Sequence, residues 1–338
     1  MTNSTEDQIS NHTLTIRTLG AAGPAVTSPG LGGMSLSGAY GHVDEDESVA
    51  VVHAYLDAGG TLIDTADFYA AGHNEMLIAR ALRERSRDDV VLSVKFGAQL
   101  TPSGLPQGFN GSPANVKTSL AYSLQRLGTD HVDIYRPARL DPDVPIEDTV
   151  GAVKDLVDDG YVRHIGLSEV GADTIRRAAA VAPISDVQIE YSLLSRGIES
   201  NGILETCREL GIGITAYGVL GKGLLGGGTT GGARSVFPRF QGENLAHNQA
   251  LVEPLRTIAE AKGATLAQLA IAWVAAQDKH VVPIVGSRRT SQVQSLVDSN
   301  RVTLTSDDLA EITKLVPPGA VHGERYPDAA MSELDSER

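Results

Sequence analysis

Short β-branched runs alternate with amphipathic stretches along most of the 338 residues, and the alternation predicts the architecture. Val49, Val52 and Leu56 recur at helical spacing within residues 47–58, Gly59 and Gly60 close that segment, and "TLID" reads as the next strand. Residues 74–86 predict a helix and "DVVLSVK" a strand. Ser112 and Pro113 supply an N-cap and a first-turn proline, Val116, Leu120, Leu124 and Leu127 trace one face, and Gly128 ends the helix. "VDIY" is then a strand that Pro137 and Pro142 turn into a loop. A helix from Pro145 to Gly160, the strand "YVRHIGL", a helix from about 172, the strand "DVQIE", a helix over 203–210 and the strand "IGITAY" continue the rhythm. Helices are predicted over 248–262 and 266–277, the second entered by a capping box of Thr265 and Gln268, before the last strand "VVPIVG" and its helix.

Counting "GLGGMS" as the first gives eight strands, each followed by helix. That predicts an α/β fold, a (β/α)8 TIM barrel with an N-terminal β-hairpin and a C-terminal extra helix and tail. One domain spanning 1–338 is expected, with 1–12 and 325–338 flexible. An open doubly wound sheet competes, but the first strand-helix turn lacks a phosphate fingerprint. The string "GKGLLG" at 221–226 matches that fingerprint literally, yet it follows the seventh strand and opens no helix. It belongs instead to an aperiodic loop from Gly218 to Gly242 that holds nine glycines, and loops of that length in compact domains usually carry function.

Composition narrows the partners. Net charge is −14, so the surface field repels phosphate backbones and anionic lipid, and neither nucleic acid nor membrane is expected as a partner. A single cysteine, Cys207, excludes an intrachain disulfide and falls in a helical apolar pattern, which reads as core. The first twelve residues are polar and acidic, unlike a signal peptide, and a cytoplasmic location is expected. None of the nine histidines forms a spaced cluster with carboxylates, so no metal is expected.

Active sites of such barrels are assembled just past the strand C-termini. Strand two ends "LIDTADFY" and strand three ends in Lys95, so Asp64 and Lys95 would face one pore with Tyr69 over its mouth. A cation beside a phenol lowers its pKa and a carboxylate fixes the cation, which suits a proton donor; a buried structural ion pair beside a core tyrosine fits the spacing equally well.

The segments "GGTLIDTADFYAAGHNE", "VVLSVKFG", "GSPANVKTSLAYSLQRLGTDHVDIY", "GLSEVGADTI", "VQIEYSLLSRGIE", "ITAYGVLGKGLLGG" and "VPIVGSRRTSQVQSL" resemble, in order, the signature segments of the aldo-keto reductase superfamily. The resemblance implies NADPH bound across the barrel mouth and hydride transfer to a small-molecule aldehyde or ketone, with Tyr69 as general acid, Lys95 as the family's lysine and Asp64 as its aspartate. Ser168 and Gln188 match positions that hold the nicotinamide carboxamide, and Tyr217 the aromatic that stacks on the ring. Leu220, Lys222 and Gly223 fall at pyrophosphate positions, Gly286, Ser287 and Arg288 at the adenosine 2′-phosphate, and Gln292 at adenine. An arginine fork there favours NADPH over NADH, although Ser295 and Leu296 replace the Glu-Asn of many relatives.

One position departs from the pattern. In "YRPARLDP" the family's strand-four histidine is Ala138. Three readings follow: a working reductase whose bulky or self-assisting substrate uses the room at Ala138; a reductase of a different bond, or one with a substitute group such as His73 or, less readily, Arg139; and a barrel that senses NADPH with little turnover. The "PAR" variant with "GLSEVGA" and "EYSLLSR" is most similar to the pyridoxal reductases, whose substrate carries a hydroxyl beside its aldehyde. Tyr40, Phe96, Phe109 and Tyr326 are further pocket candidates, residues 98–111 and 318–338 read as variable loops, and oligomeric state is not legible.

Overall fold

The computed structural model describes residues 14–38, 41, 43–227 and 232–338. Eight parallel strands close a barrel: β1 (Gly30–Gly32), β2 (Leu62–Ala66), β3 (Val91–Phe96), β4 (Val132–Pro137), β5 (Val162–Ser168), β6 (Ile184–Glu190), β7 (Gly213–Tyr217) and β8 (Val281–Gly286). Each pairs with the next in sequence, and β8 returns to β1 through Val285 opposite Leu31. All eight fall on the segments expected as strands, seven of them with β-branched residues and β1 as the short Gly-Leu-Gly. Around them lie α1 (Glu45–Asp57), α2 (His73–Leu82), α3 (Pro113–Leu127), α4 (Ile146–Asp158), α5 (Ala172–Val181), α6 (Ile203–Leu210), α7 (Gly242–Val252), α8 (Leu255–Ala261), α9 (Leu266–Ala276) and α10 (Thr290–Asp298), with α11 (Ser306–Leu315) as the extra helix.

Local chemistry sets the boundaries. The Ser112 side chain accepts from Asn115 N, Pro113 opens α3, and Gly128 closes it at φ 65°. Capping boxes start α9 (Thr265 with Gln268) and α11 (Thr305 with Asp308). The single helix expected over 248–262 is two, because Pro254 has no N–H to continue α7. Residues 98–109 are not a bare loop: Ala98–Leu100 pairs with Pro106–Phe109 as a small antiparallel hairpin.

Alternation along the strands builds two different cores. Outward residues such as Ile63, Leu92, Val94, Val187 and Ile214 join the helices in the larger cluster. Inward, Leu62, Ile134, Val282 and Ile284 meet Leu19 and Val26 of the N-terminal hairpin (Thr15–Thr18 with Ala25–Ser28), which plugs one end of the barrel with apolar side chains. Toward the other end the lining turns polar: Asp64, Ser93, Lys95, Arg136, Asp186, Gln188 and Thr215 are all buried there. Arg136 and Asp186 form a fork-to-fork pair (2.8 and 3.2 Å), and Gly166 makes room for it, since a Cβ there would lie 2.9 Å from the guanidinium carbon.

The C-terminal residues expected to be flexible are docked against the barrel, and residues 1–12 lie outside the described residues. Leu334 is 2% exposed, Ser336 Oγ donates to Glu169 Oε2 (2.6 Å), and Gly171 N donates to Asp335 Oδ2 (2.8 Å). Arg325 is buried, with Nη2 at 2.9 Å from Glu169 and 2.6 Å from Glu337. Polar residues that read as solvated in sequence find partners at the barrel mouth.

Candidate active site

Asp64, the middle residue of β2, receives three hydrogen bonds: Lys95 Nζ at 2.5 Å, Ser93 Oγ at 2.8 Å and Gln188 Nε2 at 2.7 Å. Lys95 also donates to Thr65 O at 3.0 Å. Arg136 Nη2 donates to Ser93 Oγ (3.0 Å), so the deep arginine fixes the serine that orients Asp64. A buried ion pair is costly unless its remaining donors and acceptors are satisfied, and here nearly all of them are. The expected pairing of Asp64 with Lys95 is therefore present, inside a network.

Tyr69 lies above that pair, with Lys95 Nζ 4.8 Å from its ring centroid. It stands on a strained turn: Ala70 and Ala71 both adopt left-handed backbone at φ 47° and 52°. The electrostatics differ from expectation. Burial, reinforced by the Asp64 charge, pushes the Tyr69 phenol well above its ordinary pKa, against the smaller pull of Arg139 and Arg136. Burial also lowers the Lys95 ammonium, with Asp64 opposing it. The phenol keeps its proton at neutral pH but is a weaker acid than the expected lowering by a neighbouring cation implies.

Sequence reasoning missed Asp67. Its backbone N–H donates to Lys95 O (2.9 Å), its Oδ1 is buried with no partner, and burial followed by the Glu75 charge pushes its carboxyl up to about 7.

The cofactor positions divide into two groups. Ser168 Oγ and Ser287 Oγ, at the ends of β5 and β8, are buried hydroxyls with no hydrogen-bond partner, and such orphans fit a polar ligand. Tyr217, at the end of β7, is fixed through its hydroxyl by Glu169 (2.8 Å) and Tyr326 (3.1 Å). The remaining positions already have protein partners. Lys222 Nζ donates to Glu190 (3.2 Å) beneath Tyr326, and Gln292 Oε1 accepts from Arg288 N (2.7 Å). The glycine-rich loop after β7 is tightly turned, with Gly221 at φ 55°, Lys222 at 52° and Gly223 at 113°, and a Cβ on Gly221 would lie 2.6 Å from Leu194. Leu220 packs against the core, and Gly286 lies against Ser35.

The substrate candidates separate. Ala138 is 2% exposed, so its methyl presents almost no surface and the room expected there is not open. His73 Nε2 bonds Glu45 (2.8 Å) on an exposed flank; its backbone N–H donates to Tyr69 O, but among the described residues its ring makes no hydrogen bond or ring contact with the Tyr69 or Lys95 side chains. Phe96 is fully buried against Tyr135 and belongs to the core. Phe109 lines a cavity of about 500 Å³ with Gln99, Leu140, Pro142 and the tail residues Glu333 and Arg338. Tyr326 stands beside Tyr217 at the mouth, and Arg139 donates from Nη1 to Ala138 O at 2.7 Å. Tyr40 lies outside the described residues. Cys207 is buried and its thiol is pushed up to about 12 by burial, as a core residue's would be.

With this geometry in place, comparison decides the family. The sequence profile of the aldo/keto reductase family matches residues 30–317. The chain belongs to the aldo/keto reductases. A probable aldo-keto reductase from Glycine max is 42% identical over 316 residues, covering 91% of this chain and 90% of the relative. A glycerol dehydrogenase from Gluconobacter oxydans superposes with a TM-score of 0.81 at 27% identity, over 92% of this chain and 98% of its own. An aldo-keto reductase from Bacillus halodurans in its holo form gives 0.78 at 26% identity, over 92% and 99%. As an aldo/keto reductase the chain is an oxidoreductase acting on carbonyls with a nicotinamide cofactor. No helix among the described residues is long and apolar enough to cross a membrane.

Proposed function

We propose that this aldo/keto reductase uses NADPH to reduce an aldehyde or ketone, with Tyr69 as the proton donor. The observation that carries the reading is the Tyr69 ring set against the ammonium of Lys95, which is itself paired with the buried Asp64. The cofactor, when bound, supplies the hydride; the chain supplies placement and a proton. Ser168 and Gln188 hold the nicotinamide carboxamide and Tyr217 lies against the ring. Leu220, Lys222 and Gly223 cover the pyrophosphate, and Gly286, Ser287, Arg288 and Gln292 hold the adenosine end. Lys95 stabilises the negative charge that develops on the phenol oxygen as the proton leaves.

With alanine at 138, carbonyl orientation falls to the substrate and to other groups. A substrate with its own hydroxyl beside the aldehyde meets that need, which makes pyridoxal the first compound to try. The test is NADPH consumption with pyridoxal, an activated aromatic aldehyde and a bulky cyclic ketone, beside the Tyr69→Phe variant. Tyr69-dependent turnover of any of them supports the reading; tight NADPH binding without turnover on all three replaces it with a sensor.

A further inference from the structure

The cations around the barrel mouth are nearly all matched to carboxylates. Lys95 pairs with Asp64 (2.5 Å), Arg136 with Asp186 (2.8 Å), Lys222 with Glu190 (3.2 Å), Arg239 with Glu190 (3.7 Å) and Arg325 with Glu169 (2.9 Å). Arg139 differs from these: among the described residues it has no carboxylate within ion-pair distance, and its side-chain hydrogen bond runs from Nη1 to the carbonyl of Ala138 at 2.7 Å. Its electrostatic neighbours are Tyr217, Glu169, Tyr326 and the like-charged Arg325, with Tyr69 and Lys95 also within its field. The three phenols stay neutral, because burial raises each of them. Glu169 is already committed to Arg325, Ser336, Tyr217 and the backbone N–H of Glu190.

A half-buried guanidinium carries its charge permanently and offers five N–H donors in a planar fork that matches an oxyanion. Burial disfavours such a charge, yet Glu169 and the neighbouring hydroxyls hold Arg139 charged above its ordinary pKa, so the fork stays cationic with no carboxylate bound to it. Arg139 follows directly on Ala138, the position where the carbonyl-orienting histidine is missing, and acts on Tyr69, the proposed proton donor. We infer that Arg139 receives an oxyanion carried by the carbonyl substrate, so that the preferred substrates are anionic aldehydes or ketones bearing a carboxylate or comparable group near the reacting carbon. The inference rests on the proposed reductase reading and gives it a substrate class. The anchored anion then orients the carbonyl in place of the absent imidazole.

The experiment compares 3-carboxybenzaldehyde with its methyl ester in the wild type, Arg139→Gln and Arg139→Lys, together with the binding of benzoate against benzamide to the NADP⁺-bound protein, which needs no turnover. The wild type is expected to favour the carboxylated aldehyde in kcat/KM and benzoate in binding by about tenfold or more, as a charge-assisted hydrogen bond allows. Arg139→Gln removes that ratio and Arg139→Lys restores part of it. Melting temperatures report folding; should Arg139→Gln fail to fold, Arg139→Lys carries the test through a reduced ratio. Ratios unchanged by either variant overturn the inference. Benzoate binding that depends on Arg139 with no aldehyde reduced upholds the anion site and overturns the reductase reading instead.

Discussion

Arg325 donates to Glu169 Oε2 at 2.9 Å across 156 residues of sequence, and Tyr217 donates to the other oxygen of the same carboxylate at 2.8 Å. The C-terminal segment thereby reaches the ring proposed to lie against the nicotinamide. Arg325 outweighs the cost of burial and holds the Glu169 carboxyl down to about 2. Removing one partner of a buried pair strands the other, so Arg325→Ala should cost about 3–5 kcal/mol at neutral pH. The Glu169 pKa is lower folded than unfolded, so the stability it contributes is present above 4.5 and lost as pH falls toward about 2. The wild-type advantage over Arg325→Ala in urea midpoint should accordingly shrink between pH 7 and pH 3. NADPH affinity should weaken in the same variant; unchanged affinity would show that the tail does not position Tyr217.

Tyr69→Phe should abolish carbonyl reduction and leave NADPH binding close to wild type, since only the hydroxyl is lost. The pH profile adds a sign. Because the phenol is held above its ordinary 10.0, wild-type activity should show no loss of the phenol's proton below that pH. A basic limb at lower pH would belong to Lys95, whose pKa burial lowers, and Lys95→Arg should displace it upward. A limb that stays in place in Lys95→Arg would sink that assignment.

The barrel was legible because most strands carry a β-branched run and the helices carry local start and stop signals, such as Ser112 and Pro113 before α3 and Gly128 after it. The Asp64 and Lys95 pair was legible for the same reason, since strand register alone brings Ala66 beside Lys95. The hairpin over 98–109 was not, because its strands are half-exposed and carry no apolar alternation. The docked tail was hidden too. Arg325, Asp335 and Ser336 are residue types that usually face water, and their partners Glu169 and Gly171 lie more than 150 positions away. Arg136 was hidden by its neighbours: directly before Pro137 it read as the start of a turn, while the fold buries it against Asp186 in the barrel.

Arg288 tests cofactor choice. A charge-assisted contact to the 2′-phosphate exists only with NADPH, so Arg288→Ala should lower the NADPH-to-NADH ratio of kcat/KM by roughly 10- to 100-fold. NADH turnover should change little, because its ribose carries no phosphate there. A ratio left unaltered would assign the 2′-phosphate to other groups.

Asp67 gives the opposite pH behaviour to Glu169. Its carboxyl is raised from 3.8 to about 7, by burial first and then by the Glu75 charge. The folded state therefore binds a proton more tightly than the unfolded chain, and its stabilising share is full below 3.8 and lost as pH rises toward 7. Asp67→Asn removes the charge while its amide can still fill the orphaned Oδ1 position. The variant should gain roughly 1–3 kcal/mol over wild type at pH 8, by the cost of a pKa unit, and nothing below pH 4. Melting temperatures at the two pH values decide it. A variant equally stable with wild type at both would mean that Asp67 titrates normally.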